Sequence, residues 1–172
     1  MTDCVVVGAG PAGLATSAAL TQRGVDHVIL ERGQAGDTWR TQRWDSFRLN
    51  TAAWMNQMLE PQQRYAYAYR AEVVQKLDEL ARNTPIHTGV RVARLAPAHD
   101  RYGLQTSDGE VRIPSMLDGD GQPRRDGIAA VAPGVWYVGL RWLTQRGSVI
   151  FFGFPTDAAA VADAVKVRLD GS

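Results

Sequence analysis

The sequence predicts an α/β protein in which a parallel sheet flanked by helices carries a small antiparallel β-meander. Three observations predict it. A β-branched run, Val5-Val6-Val7, leads into Gly8-Ala9-Gly10-Pro11-Ala12-Gly13, with three glycines at the GxGxxG spacing. An alanine- and leucine-rich stretch then runs to Gly24, and a second apolar run from Val25 to Leu30 is closed by Glu31. Far along the chain, Val135-Trp136-Tyr137-Val138-Gly139 reads as another buried-type strand, followed by a helical period from about Thr156.

Strand, glycine turn, helix, strand and acid is the order of a Rossmann-like βαβ unit, and each residue type there answers a physical need. Gly8 permits the tight turn, Gly10 lets a pyrophosphate approach the backbone, and Gly13 lets the helix pack closely on the sheet. Pro11 suits a first helical position, beyond which the unpaired N–H groups of the first turn face the phosphates. Glu31 stands about 20 residues on, where such a fold places a carboxylate for the hydroxyls of an adenosine ribose. A purely structural βαβ unit is the competing reading. The strand before, the helix after and the acid beyond a second strand favour dinucleotide binding.

With 172 residues the chain suffices for one well-buried core, so a single domain over residues 1–172 is expected. A formal charge of +1 gives no electrostatic case for nucleic acid or an anionic membrane. No apolar run approaches the roughly 18 residues of a membrane helix, and the chain enters its first strand without a basic leader, so a cytoplasmic protein, monomeric or weakly dimeric, is expected. Cys4 is the only cysteine, which rules out an intrachain disulfide, and its place in the first strand predicts a buried, inert thiol.

The first helix runs from Pro11 to about Arg23, with Gly24 as its C-terminal cap. Residues 32–36 are too glycine-rich to continue the second strand. From Asp37 to Gln63 there is no sustained period, yet Trp39, Trp44 and Trp54 stand among Arg40, Arg43 and Arg48, which predicts an ordered segment covering a ligand. Tyr65, Tyr67 and Tyr69 alternate with alanines, as an extended stretch with three rings on one side would. Glu72 to Arg82 is amphipathic, with Val73, Leu77, Leu80 and Ala81 on one face. Short strand signals at 86–87, 90–95, 102–106 and 111–113, with a turn at Ser107-Asp108-Gly109, predict the meander. Residues 114–134 read as a loop, and Thr156 as the N-cap of a last helix bearing Ala158, Val161, Ala162, Val165 and Leu169 on one face.

These motifs resemble the flavin-containing monooxygenase family. The resemblance is carried by Glu31-Arg32-Gly33, by Gly36-Asp37-Thr38-Trp39-Arg40 and by Arg43 to Thr51, and at the far end by residues 133–140, Arg146-Gly147-Ser148 and Asp157-Ala158-Ala159. It covers residues 1–113 and 117–170. It implies FAD in the first site, with pyrophosphate on the amides after Gly8 in the turn formed by Gly10, Pro11, Ala12 and Gly13. Ribose would lie on Glu31 beside Arg32, and adenine against the backbone near Val92. Thr38, Trp39, Asn50 and Thr51 would border the flavin, with Gly139 and Ser148 in the closing segment. Trp39 as a packing anchor and Asn50 or Thr51 as turn residues are the alternatives.

Members of that family carry a second glycine fingerprint, for NADPH, between the meander and the closing strand. Gly119-Asp120-Gly121 follows no strand and opens no helix, so it does not fill that role. His27, His87 and His99 read as strand or surface residues. The expectation is a flavoprotein from which the nicotinamide unit has been removed, by engineering or in a natural reduced form, with a junction near 113–115, and in which Val149 to Phe152 cover the surface so exposed. Such a protein would bind FAD, take electrons from non-native donors or light, and show weak oxidase or oxygenation activity. A non-catalytic FAD- or ADP-binding module is the alternative, and a half enzyme borrowing its nicotinamide domain from a partner chain is a third.

Overall fold

The structure is a computed structural model, and it describes residues 2–56, 59, 65–98, 101–106, 118–120 and 122–171. β1 (Cys4–Val7) and β2 (His27–Leu30) run parallel, Cys4 opposite His27 and Val7 opposite Leu30. The crossover between them is α1 (Pro11–Gln22), which touches both strands as well as the last helix, α4 (Phe154–Asp170). A helix covered on two sides needs apolar or small residues all round, which is why Leu14, Thr16, Ser17, Ala19 and Leu20 are all buried. Gly24, at a φ of 67°, closes α1, and Arg23 pairs with Asp163 of α4 at 2.7 Å.

The chain then makes a second crossover through α2 (Asp37–Thr41), a 3₁₀ turn (Ala53–Met55) and α3 (Arg70–Ala81). It returns as β3 (Ile86–His87), parallel to β2, for a sheet order β1-β2-β3. Ile86 and His87 therefore belong to the parallel sheet and not to the meander. Two residues carry no signal of their own partner; the intervening helical crossover is what makes the parallel pairing possible. α2 is held on α3 by arginines: Arg40 pairs with Asp78, and Arg70 donates to the carbonyls of Arg40 and Arg43 at 3.0 and 3.1 Å.

β4 (Val92–Ala98) and β5 (Arg101–Thr106) form an antiparallel pair, with Leu95 opposite Leu104. The expected third meander strand at 111–113, the turn at 107–109, the junction at 113–115 and His99 lie outside the described residues. Two strands of two residues each, β6 (Arg125–Asp126) and β7 (Ala129–Ala130), make a small hairpin that no sequence signal marks. Val135 to Gly139 is not a strand. Trp136 forms one bridge to Ala129, Tyr137 N donates to Ile128 O at 2.8 Å, and positive φ angles at Gly134 (82°) and Gly139 (74°) bend the run at both ends.

α4 starts at Phe154, two residues before the expected Thr156 cap, with Gly153 as N-cap. A Cβ on Gly153 would lie 2.1 Å from the Gly147 carbonyl oxygen, so the helix begins where two backbone segments touch. The expected surface role of residues 149–152 does not hold for Phe151, which is 2% exposed. It packs edge-on against Trp39 at 5.1 Å and against Phe154 at 5.7 Å, joining the long irregular segment to the core. The same core contains Val6, Leu14, Leu20, Ile29, Val73, Leu77, Val161 and Val165. Among the described residues no helix is long and apolar enough to cross a membrane.

Candidate functional site

The site begins at the turn between β1 and α1. Gly8 has a φ of 97°, and a Cβ on Gly13 would stand 2.0 Å from the Gly8 carbonyl oxygen, so helix and strand touch through glycine backbone. Gly10 is the N-cap of α1 and offers no capping side chain. The first-turn amides of α1 therefore point outward without an intrahelical acceptor. A Cβ on Gly10 would meet no atom within 4 Å, so the space in front of those amides is open.

Glu31 ties the turn together from the other side. Its carboxylate accepts the amide of Ala9 at 2.7 Å on Oε2 and that of Gly33 at 2.8 Å on Oε1, and the residue is buried. Gly36 N donates to Ala9 O at 2.9 Å, and Val90 N to Glu31 O at 2.9 Å, so the segments leading to Thr38 and Val92 hang on the same turn. Each Glu31 oxygen keeps a further lone pair for a ligand hydroxyl.

A cleft of about 330 Å³ opens along this edge, lined by Val7, Gly8, Gly10, Leu30, Glu31, Arg32, Asp37, Thr38, Arg91 and Val92. It gathers six of the residues expected from sequence: Gly8, Gly10, Glu31, Arg32, Thr38 and Val92. Pro11, Ala12 and Gly13 form the helix turn behind Gly10. Gly139 approaches from the far end of the chain, where its Cβ would stand 2.8 Å from that of Ala12, a contact only glycine allows. Sequence reasoning passed over Val7, Leu30, Asp37 and Arg91. Val7 is 61% exposed at the end of a buried-type strand; Arg91 bore one signal, its place beside Val92.

The remaining expected residues lie elsewhere. Trp39 is half-buried and packs on Phe47 and Phe151, with the Arg43 guanidinium 5.3 Å from its ring. Asn50 is exposed, and Thr51 donates its hydroxyl to the buried Asn56, whose amide bonds Thr51 O and Ala52 O. Ser148 is fully buried, bonded to Asp157 at 3.1 Å and capping the amides of Thr144 and Gln145. His27 is a satisfied strand histidine, with Nδ1 on Val25 O and Nε2 on Ser17 Oγ. Burial, helped by Asp3, pushes the Cys4 thiol up to about 11, the mark of an inert group.

A family model described as pyridine nucleotide-disulphide oxidoreductase matches residues 5–122. The probable indole-3-pyruvate monooxygenase YUCCA1 of Arabidopsis thaliana is 47% identical over 47 residues, 27% of this chain and 11% of its own length. A CzcO-like uncharacterized oxidoreductase of Geobacillus kaustophilus is 27% identical over 177 residues, 94% of this chain and 51% of its own. The chain thus spans about half the length of that relative and far less of the plant one. Among solved structures, a mutant flavin monooxygenase from Stenotrophomonas maltophilia aligns with a TM-score of 0.53 at 28% identity, over 62% of this chain and 33% of its own. These likenesses bear out the resemblance to flavin-containing monooxygenases and the α/β class.

Proposed function

The chain belongs to the pyridine nucleotide-disulphide oxidoreductase family, and on that premise we propose that it is the FAD-binding part of a flavin monooxygenase-like protein. The observation that carries this reading is the uncapped first turn of α1, open in front of Gly10 and braced by Glu31 on Ala9. Such a turn attracts a pyrophosphate through its free amides and its helix dipole. The residues present fit the group. Gly10, Ala12 and Gly13 would hold the phosphates, Glu31 and Arg32 the ribose, and Val92 with Val7 and Leu30 the adenine. Bound FAD supplies two-electron redox chemistry and, once reduced, reactivity toward oxygen. The chain's own residues bind and orient: Gly139 closes on Ala12 in the first turn of α1, and α2 lines the site through Asp37 and Thr38.

In this reading residues 1–113 and 117–170 form one FAD-binding unit joined near 113–115, by engineering or in a natural reduced form. It is supported by Gly119 and Asp120, which sit in a turn where Asp118 Oδ1 accepts the amides of Asp120 and Gln122, followed by the β6 hairpin and no helix. No second glycine fingerprint stands between β5 and Gly139. Without that fingerprint the protein draws electrons from non-native donors or light, with weak oxidase or oxygenation activity. Hydride positioning contributes about 7–11 kcal/mol to such reactions, so reduction by free NADPH is slow. FAD is its partner; a cytoplasmic location and a monomer or weak homodimer complete the proposal.

A second reading, a non-catalytic module for FAD or its ADP half, is favoured by the cleft volume. About 330 Å³ lies at the low end of ligand sites, about 300–1,000 Å³, and suits half a dinucleotide. The visible spectrum of the purified protein, identification of the released cofactor, and anaerobic reduction by NADPH and by light separate the readings. Yellow protein releasing FAD and photoreduced faster than it is reduced by NADPH is expected. Protein that takes up no flavin but binds ADP supports the module; protein that binds neither ends both readings, and fast saturable reduction by NADPH rejects the loss of a nicotinamide site.

A further inference from the structure

Trp142 is the one non-glycine residue with a positive φ among the described residues, at 56°, and it is 64% exposed. A bulky side chain stays in the left-handed region only where its surroundings over-determine it. They do so here. The Arg125 guanidinium donates to the carbonyls of Gly127 at 3.2 Å, Trp142 at 3.2 Å and Arg141 at 2.7 Å, fastening the turn to the β6–β7 hairpin. The next residue, Leu143, is buried, and the Thr144 hydroxyl donates to the buried carboxylate of Asp157 in α4. The turn is clamped from both sides, and what it holds outward is an indole.

Its position gives that indole a use. Gly139, three residues earlier, packs on Ala12 in the first turn of α1. Three residues span at most about 11 Å, so the Trp142 backbone stands within that reach of Gly139. The adenosine-sized cleft runs from the same turn toward Glu31 and Val92. A dinucleotide whose pyrophosphate sits on α1 and whose adenosine fills that cleft extends its other half away from Glu31 and Val92. Resting on the FAD reading above, we infer that Trp142 stacks on the isoalloxazine ring and sets the site's preference for a flavin over a bare nucleotide. An exposed indole is suited to this: it presents a large flat apolar face, and planar aromatic partners stack on it offset. The left-handed turn keeps the ring out of the core.

Trp142→Ala, Trp142→Phe and Trp142→Gly are compared with the unaltered protein by titration with ADP, FMN and FAD, following flavin emission and thermal unfolding. Trp142→Ala is expected to weaken FMN and FAD binding roughly tenfold, about 1.4 kcal/mol, and to raise bound-flavin emission by removing the quenching indole, with ADP affinity unchanged. Trp142→Phe retains most flavin affinity. Trp142→Gly melts higher than Trp142→Ala because glycine adopts the turn freely, and it is as poor a flavin binder. FAD bound with unaltered affinity and emission in Trp142→Ala or Trp142→Gly overturns the inference. So does an equal loss of ADP and FAD, which marks a structural role only. Should the unaltered protein bind ADP and no flavin, the FAD reading fails and this inference with it; should it bind FAD with no effect of these variants, the inference alone fails.

Discussion

Gly10 and Gly13 sit three residues apart in the same turn, and the structure assigns them opposite sensitivities to a single added methyl. In Gly13→Ala the new Cβ falls 2.0 Å from the Gly8 carbonyl oxygen, 3.1 Å from its carbon and 3.5 Å from Val6 Cγ1. Ordinary contact is about 3.5 Å or more, so helix and strand must part by roughly 1.5 Å. The obstacle is backbone and cannot rotate away. Overpacking costs about 1–3 kcal/mol, at the upper end here, against a gain of about 1 kcal/mol from replacing a helical glycine by alanine. The net is a loss of about 2 kcal/mol, which for a chain of this size is roughly 4–8 °C in Tm. In Gly10→Ala the methyl meets nothing within 4 Å, and φ −78° with ψ 180° suits alanine, so stability falls by less than about 1 kcal/mol. The methyl does, however, enter the space a phosphate needs, and affinity for ADP should drop at least tenfold, the equivalent of one charge-assisted hydrogen bond. Urea unfolding paired with ADP titration measures both effects. An unaltered unfolding midpoint in Gly13→Ala, or normal ADP binding by Gly10→Ala, refutes these opposite sensitivities.

Two further predictions concern Glu31 and Cys4. Glu31→Ala strands the amides of Ala9 and Gly33, so it should lose about 2–4 kcal/mol of stability as well as FAD retention, with Glu31→Gln intermediate because it keeps one acceptor; an unfolding midpoint like that of the unaltered protein would remove the bracing role. Cys4, with its thiol pushed from 9.0 to about 11, stays protonated in the fold when the unfolded chain has already ionised. The unfolded state then binds fewer protons, so stability is full below pH 9 and declines between pH 9 and about 11, by at most about 3 kcal/mol, a decline that Cys4→Ala abolishes. At pH 8 alkylation of Cys4 should run about a hundredfold slower in the folded than in the denatured protein, and equal rates would contradict the burial.

The glycine turn was legible because its requirements are local. Gly8, Gly10 and Gly13 are each demanded by a φ angle or a contact within a few residues, and Glu31 reaches the same turn through the parallel register of β1 and β2. The three long helices were legible for the same reason, α3 and α4 from their apolar period and α1 from its alanine- and leucine-rich run between Pro11 and Gly24. Ser148 was not. It lies in a segment similar to one near a flavin, but its hydroxyl turns inward to Asp157, and only the start of α4 against Gly147 decides that. Nor were the contacts of Trp39 with Phe47 and Phe151, which no period in its loop announces.

The sequence by itself determined the class, the first βαβ unit and the chemistry that unit invites, since backbone turns, helix amides and a following acid are specified by neighbouring residues. Only the tertiary structure decided that Ile86 and His87 extend the parallel sheet, that Val135 to Gly139 bends away from it, that Phe151 is core, and that Arg125 holds Trp142 outward in a left-handed turn. Those outcomes depend on partners tens of residues away, and a short stretch of chain carries its own conformational preference but not the identity of the segment that will satisfy its hydrogen bonds.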